Sequence, residues 1–298
     1  MLSEGRVMRG IGGLYEVRIA DSEGERSLSC RGRGALRRDD ERLLVGDLCL
    51  VNEEEAVIEE ILPRRSSLIR PPLANLDYLF VITAASHPAP SLETLDKLTA
   101  IAVHNAITPV MVVTKADLGG DAAEELAAVY RTVGFPVFIL APDRDSAALA
   151  AYIAEHIRDG RTAAFAGASG VGKSTLLNRL FPDLSLATGA ISRKIARGRH
   201  TTRSVELFMT PGGGFLADTP GFSMLDFLRF DFFSLGDLPA TFPEFLPELD
   251  GCRYADCTHT GEVDCGVACA VREGRIAASR HESYRSLYKL LRDKERRY

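Results

Sequence analysis

The sequence predicts a multidomain chain: a small all-β barrel or sandwich, then a parallel α/β nucleotide-binding domain, then a mostly helical segment that holds a metal. Three observations carry this. Residues 1 to 66 alternate short apolar runs with Gly, Asp and Glu punctuation. From residue 67 the apolar runs become continuous and β-branched, with helical stretches between them, as in a sheet covered on both faces. Finally, Cys252, Cys257, Cys265 and Cys269 crowd into one short stretch beside His259, as metal ligands do and scattered structural disulfides do not.

The 298 residues exceed one average domain of about 150. A content of 46% hydrophobic and 26% charged residues, with net charge -5, describes a soluble globular protein and excludes disordered and fibrous classes. The acidic balance gives no bulk attraction to nucleic acid. Basic residues nevertheless cluster at 26–38, 192–203 and 285–297, and local patches bind phosphate even on an acidic protein. A solvated face is the simpler account of any one cluster. The N-terminus MLSEGRVMRGIGG lacks the features of a signal peptide, and no window reaches the roughly 18 apolar residues of a membrane span, so a cytoplasmic protein without membrane partners is expected.

Within the first region GLYEVRIA, SLSCRG, DLCLV and AVIEEIL read as strands, with a turn at Gly46-Asp47 and a stop at Pro63. Arg31, Arg33, Arg37 and Arg38 read as lying in its longest loop, suited to single-stranded nucleic acid. Cys30 and Cys49 read as ordinary buried thiols. The middle region supplies DYLFVITA, PVMVVTKAD, FPVFILA, TAAFAGASG and GFLADTPG as parallel strands. Beyond Met224 an aromatic, proline-rich stretch leads to the cysteines and to a last helix with Tyr284, Leu287, Tyr288 and Leu291 on one face.

Gly167, Ala168, Ser169, Gly170, Val171, Gly172, Lys173, Ser174 and Thr175 spell a G-x-x-x-x-G-K-[ST] loop between an apolar strand and a helix start. Its glycines let backbone N–H groups close around phosphate. Lys173 supplies a cation to the β and γ phosphates, Ser174 ligates Mg²⁺, and the helix N-terminus adds its dipole. Asp218 ends the strand GFLAD, where a carboxylate reaches Mg²⁺, and Gly221 of the following DTPG offers an N–H to the γ-phosphate. Between them GRHTTR (198–203) reads as a switch in which Thr201 or Thr202 completes the Mg²⁺ shell.

Thr114, Lys115, Ala116 and Asp117 form a [NT]-K-x-D element at the end of the strand PVMVV. The Asp accepts from the N1 and N2 donors of guanine, which adenine does not offer, and the Lys stem packs over the base. Thr114 stands where Asn is usual, and a hydroxyl keeps one turn-stabilising hydrogen bond instead of the amide's full set. Cys252, Cys257 and His259 offer three ligands for tetrahedral zinc of a structural kind, with Cys265 and Cys269 competing for the fourth position.

Taken in order, RPPLANLD, TKAD, AGASGVGKSTLLN, GRHTTR, DTPGF and the cysteine cluster resemble the circularly permuted GTPases that assist late maturation of the small ribosomal subunit in bacteria. The resemblance runs over nearly the whole chain. It implies an N-terminal OB-fold (1–66), a circularly permuted α/β P-loop GTPase domain (67–226) and a C-terminal, mostly helical zinc-binding domain (227–298). It also implies a monomer that hydrolyses GTP with Mg²⁺, is stimulated by the small subunit and contacts its rRNA. The run CGVACAVREGRI matches the family's spacing from Cys265 onward, which assigns Cys265 to the zinc. Two departures stand out: Thr114 for the common Asn, and LAPD (140–143) where a Ser-Ala-type base-contacting loop is expected. Separately, Phe222 follows DTPG where many GTPases carry a water-orienting Gln. Apolar residues at that position are usual in this family, so His200 is the candidate for orienting the attacking water. An ATP-using P-loop enzyme and an RNA-binding P-loop translation factor are the rival readings; intact Lys173, Ser174 and Asp218 weigh against a vestigial nucleotide site.

Overall fold

The computed structural model describes residues 2–22, 24–34, 42–141, 146–182, 205–218, 227 and 229–296. His200, Thr201, Thr202, Gly221 and Phe222 lie outside the described residues, as do Arg37, Arg38, Pro142 and Asp143. The chain divides into two compact units, Met1–Tyr78 with Ala150–Phe165 and Ser174–Phe222, and Leu79–Leu149 with Ala166–Lys173 and Ser223–Tyr298.

The first unit opens with a five-stranded barrel of β1 (Leu2–Ile11), β2 (Leu14–Asp21), β3 (Gly24–Gly32), β4 (Leu48–Asn52) and β5 (Val57–Ile61). Hydrogen bonding runs β1-β2-β3-β5-β4 and returns from β4 to β1, which closes the sheet. Closure removes exposed strand edges. Alternate residues fill the interior: Val7, Val17, Ile19, Cys30, Leu43, Cys49, Val51 and Ile58 form its core. Burial pushes the Cys30 thiol up to about 11 and Cys49 to about 12, which keeps both protonated and inert.

Two details depart from the sequence reading. β1 is absent from the expected strands because Gly5 and Gly10 interrupt its apolar alternation; a Cβ at Gly5 would lie 2.5 Å from Val17 Cγ1, so the barrel itself demands the glycine. Arg31 lies within β3 instead of in a loop, and Arg33 just after it is ion-paired with Glu59.

After the barrel, fully buried Asp47 accepts from Arg64 Nε at 2.6 Å and from Leu44 N at 2.7 Å. A short hairpin, β6 (Ser67–Leu68) and β7 (Leu73–Ala74), follows. The same unit holds β11 (Thr162–Ala166), β12 (Glu206–Met209) and β13 (Phe215–Asp218), in the order β11-β13-β12-β1. Buried Arg6 of the barrel donates to Thr162 Oγ1 at 2.9 Å and lies 4.5 Å over the Phe215 ring.

In the second unit β8 (Tyr78–Ala84), β9 (Thr108–Thr114) and β10 (Val137–Ile139) run in the order β10-β9-β8. Every residue of β8 and all but the first of β9 are buried, as the continuous apolar runs require. α1 (Leu92–His104), capped by Ser91 Oγ, and α2 (Ala122–Thr132) belong to this unit. α3 (Ser146–His156) and α4 (Lys173–Leu180) follow in the chain. The C-terminal part contributes two 3-10 segments, Leu238–Thr241 and Pro243–Gly251, then α5 (Gly266–Arg272) and α6 (Ala278–Glu295). On α6 Tyr284, Leu287 and Leu291 are buried as expected, and Tyr288 is half-buried.

Arg280 of α6 is 1% exposed. It donates to Asp96 at 2.7 Å and Thr99 at 3.1 Å on α1, and to Glu244 at 2.7 Å; its guanidinium lies 4.5 Å over Phe242. Tyr130 of α2 donates to the same Asp96 oxygen at 2.9 Å. Burial works against all these charges, but the two carboxylates hold the proton on Arg280. Replacing Arg280 with Ala leaves Asp96 and Glu244 buried without their counter-charge. Urea unfolding of Arg280→Ala should show a loss of about 3–5 kcal/mol, and a loss below about 1 kcal/mol would mean the node is incidental.

Candidate nucleotide and metal sites

The phosphate loop of residues 167–173 links β11 to α4. Gly167 admits no side chain, since a Cβ there would stand 2.2 Å from the Ile82 carbonyl oxygen of β8. Gly170 sits at φ +83°, a left-handed conformation that glycine adopts without strain. The loop therefore presses against β8 and turns tightly, which leaves backbone rather than side chains to face a ligand. Lys173 Nζ donates to the Gly167 carbonyl at 2.9 Å, and burial pushes its ammonium pKa down. A half-buried cation with no carboxylate partner among the described residues fits an anionic phosphate.

Thr114 and Lys115 tie this loop to its neighbours. Thr114 Oγ1 lies 2.5 Å from the Val171 carbonyl oxygen and 3.1 Å from that of Thr83. One hydroxyl proton thus serves two carbonyls, where an amide would offer two donors. Lys115, in the left-handed region at φ +55°, donates to Gly170 O at 2.8 Å and to His87 O at 2.6 Å. Ala116 N donates to Leu140 O at 3.1 Å, which brings the start of LAPD to the same place. Asp117 is exposed and has no partner among the described residues, leaving both oxygens free to accept. The contribution of residues 83–88 was not anticipated; only backbone carbonyls are used, and these carry no sequence signal.

Ser174 and Asp218 belong to the other unit. Ser174 is exposed in the first turn of α4, and Thr175 beside it is exposed too. Asp218 ends β13, where desolvation raises its carboxyl pKa. The residue is nevertheless solvent-exposed, and a reachable carboxylate without an ion-pair partner among the described residues suits a divalent cation.

The sulfur atoms of Cys252, Cys257 and Cys265 and a ring nitrogen of His259 all lie within 4.8 Å of one another. His259 Nδ1 is 3.5 Å from Cys252 Sγ and 3.6 Å from Cys265 Sγ. A tetrahedron with zinc–sulfur and zinc–nitrogen bonds of usual length has S···N edges of about 3.6 Å. The donor set and its spacing therefore fit zinc. The Gly266 and Ala268 N–H groups each approach a cysteine sulfur, of Cys252 and Cys265 respectively, at 3.4 Å. Burial raises the Cys257 and Cys265 thiols and lowers His259, so a cation is what makes three thiolates tolerable there. Cys269 stands apart on α5, with its sulfur 3.4 Å from Glu273 Oε1. Metal analysis by mass spectrometry should find one zinc per chain in Cys269→Ser and none in Cys265→Ser; the reverse pattern would transfer the fourth ligand to Cys269.

Comparisons with known proteins agree on one family. The RsgA GTPase family model matches residues 61–228, and the RsgA N-terminal domain model matches residues 4–58. A protein of Alkaliphilus metalliredigens described as small ribosomal subunit biogenesis GTPase RsgA is 39% identical over 303 residues, covering 100% of both chains. Its Bacillus subtilis namesake is 36% identical over 306 residues, again covering 100% of both. Among solved structures, YloQ, described as a circularly permuted GTPase, superposes with TM-score 0.78 at 33% identity over 100% of this chain and 98% of that one. YjeQ from Thermotoga maritima gives 0.77 at 29% identity, over 98% of this chain and 99% of that one. With a family model spanning more than half of the sequence and relatives matched from end to end, the chain belongs to the RsgA GTPase family.

Proposed function

We propose that this chain hydrolyses GTP to GDP and phosphate in the service of small ribosomal subunit biogenesis. The observation that carries the reading is the full-length match, at 36–39% identity, to relatives described as small ribosomal subunit biogenesis GTPases. The geometry supports the same reading: a guanine-type element and a phosphate loop, distant in sequence, are bonded to each other through Thr114 and Lys115.

In this reading Asp117 accepts from guanine, and the Lys115 stem covers the base. Backbone N–H groups of residues 168–172 and the Lys173 ammonium take the phosphates, so Lys173 leaves the Gly167 carbonyl when nucleotide enters. Ser174 and Asp218 hold Mg²⁺, with Thr201 or Thr202 as the switch ligand and Gly221 toward the γ-phosphate. Mg²⁺, when bound, neutralises charge on the phosphate oxygens. His200 orients the attacking water in place of the Gln that Phe222 displaces. Zinc on Cys252, Cys257, His259 and Cys265 is structural, because four protein ligands leave no open position.

The domains run 1–66, 67–226 and 227–298, and the protein acts as a cytoplasmic monomer. It meets rRNA through the barrel, the switch region and the basic tail. Among the described residues no helix is long and apolar enough to cross a membrane.

GTP turnover measured with and without purified small subunits, beside ATP, tests the proposal. Subunits should stimulate GTP hydrolysis and leave ATP untouched, and Lys173→Ala should lower hydrolysis about a hundredfold. No stimulation would remove the ribosomal role and leave the GTPase reading intact. Full subunit-stimulated turnover in His200→Ala would remove His200 from the chemistry.

A further inference from the structure

A charged row runs across three strands between the barrel and Asp218. β1 pairs with β12 at Arg9↔Glu206, and β12 pairs with β13 at Glu206↔Asp218. Directly opposite residues of antiparallel strands project their side chains to the same face. Arg9, Glu206 and Asp218 therefore stand in line, one per strand, at an inter-strand spacing of about 4.8 Å. The Arg9 guanidinium is 3.8 Å from the Glu206 carboxylate, with side chains 42% and 37% exposed.

Like charges directly opposite one another are unfavourable, so Glu206 beside Asp218 requires compensation. Arg9 supplies it, but loosely. The contact to Glu206 is longer than a hydrogen bond, and Arg9 Nε is buried with no hydrogen-bond partner among the described residues. On its other side Arg9 is opposite Glu16 of β2, one strand further from Asp218.

We propose that Arg9 and Glu206 are positioning residues whose charge balance sets the affinity of Asp218 for its divalent cation. The proposal rests on the reading of Asp218 as a carboxylate that faces Mg²⁺. In the native row the charges of Arg9 and Glu206 cancel. Without Arg9, the Glu206 charge adds to the negative field at Asp218 and tightens cation binding. Without Glu206, the Arg9 charge opposes the cation and weakens it. At one to two strand spacings, with strong solvent screening, each change is worth about threefold in the cation dissociation constant. The row gives a barrel strand a chemical influence on Asp218 that needs no change in fold.

The test uses the full chain with a non-hydrolysable GTP analogue and Mn²⁺ as the probe, counting free Mn²⁺ by its electron paramagnetic resonance signal. Arg9→Gln should bind Mn²⁺ about threefold more tightly and Glu206→Gln about threefold more weakly. The double variant should return to the native value, a reversal that loss of structure does not produce. Thermal unfolding of each variant checks that it is folded. Asp218→Asn serves as the control: if it leaves Mn²⁺ binding unchanged, the reading of Asp218 fails and the proposal with it. If it weakens binding while the two single variants shift together or not at all, the charged row alone is wrong.

Discussion

Two adjacent side chains, Thr114 and Lys115, hold together loops from three separate stretches of the chain. Their acceptors are the carbonyls of Thr83, His87, Gly170 and Val171, at 2.5–3.1 Å. A cradle for a nucleotide needs its base end and its phosphate end at a fixed separation, and hydrogen bonds from side chain to backbone impose that separation without regard to sequence order. This is why TKAD can precede GASGVGKST. Permuting the chain moves the covalent connections, whereas these contacts depend only on where β8, β9 and the phosphate loop lie in the sheet.

The remaining structure reads as support for rigid placement, bought with buried charge. Arg280 joins α1 and α6 to the segment carrying Glu244, and Arg6 joins the barrel strand β1 to β11 and β13. The buried ion pairs of Arg280 add little net stability compared with apolar packing, but removing one partner is severe, so they favour one arrangement over its near alternatives. Arg6 is held instead by a hydroxyl acceptor and an aromatic face. Lys294, near the end of α6, plays a similar part for the chain that follows DTPG. Its ammonium meets the carbonyls of Phe227 and Phe230 and the carboxylate of Asp231 at 2.8–2.9 Å. All three protons of the group are thereby used, and the aromatic segment is fixed where it enters the C-terminal part.

Much of this was legible in the sequence because it depends on local patterns. Continuous apolar runs marked β8, β9 and β11, and the glycine-rich turn marked the phosphate loop, since only glycine fits where a Cβ would meet Ile82. The ligand spacing of the cysteines and His259 marked the metal cluster. What escaped depends on distant pairs. Arg280 reads as one more cation in a basic tail, yet its partner Asp96 is 184 residues away. β1 hid behind its glycines, and the row of Arg9, Glu206 and Asp218 exists only through strand register. Carbonyl acceptors such as His87 O carry no side-chain signature at all.

In the proposed nucleotide site the Thr114 hydroxyl, by binding the phosphate loop, keeps the base end and the phosphate end in register. Thr114→Val is nearly isosteric and removes only the hydroxyl, leaving the Val171 carbonyl without that donor. Calorimetric titration of the full chain with GDP should show affinity falling about tenfold, the effect of one buried hydrogen bond, with the C-terminal metal content unchanged. Unchanged GDP affinity in a folded Thr114→Val protein would contradict the account.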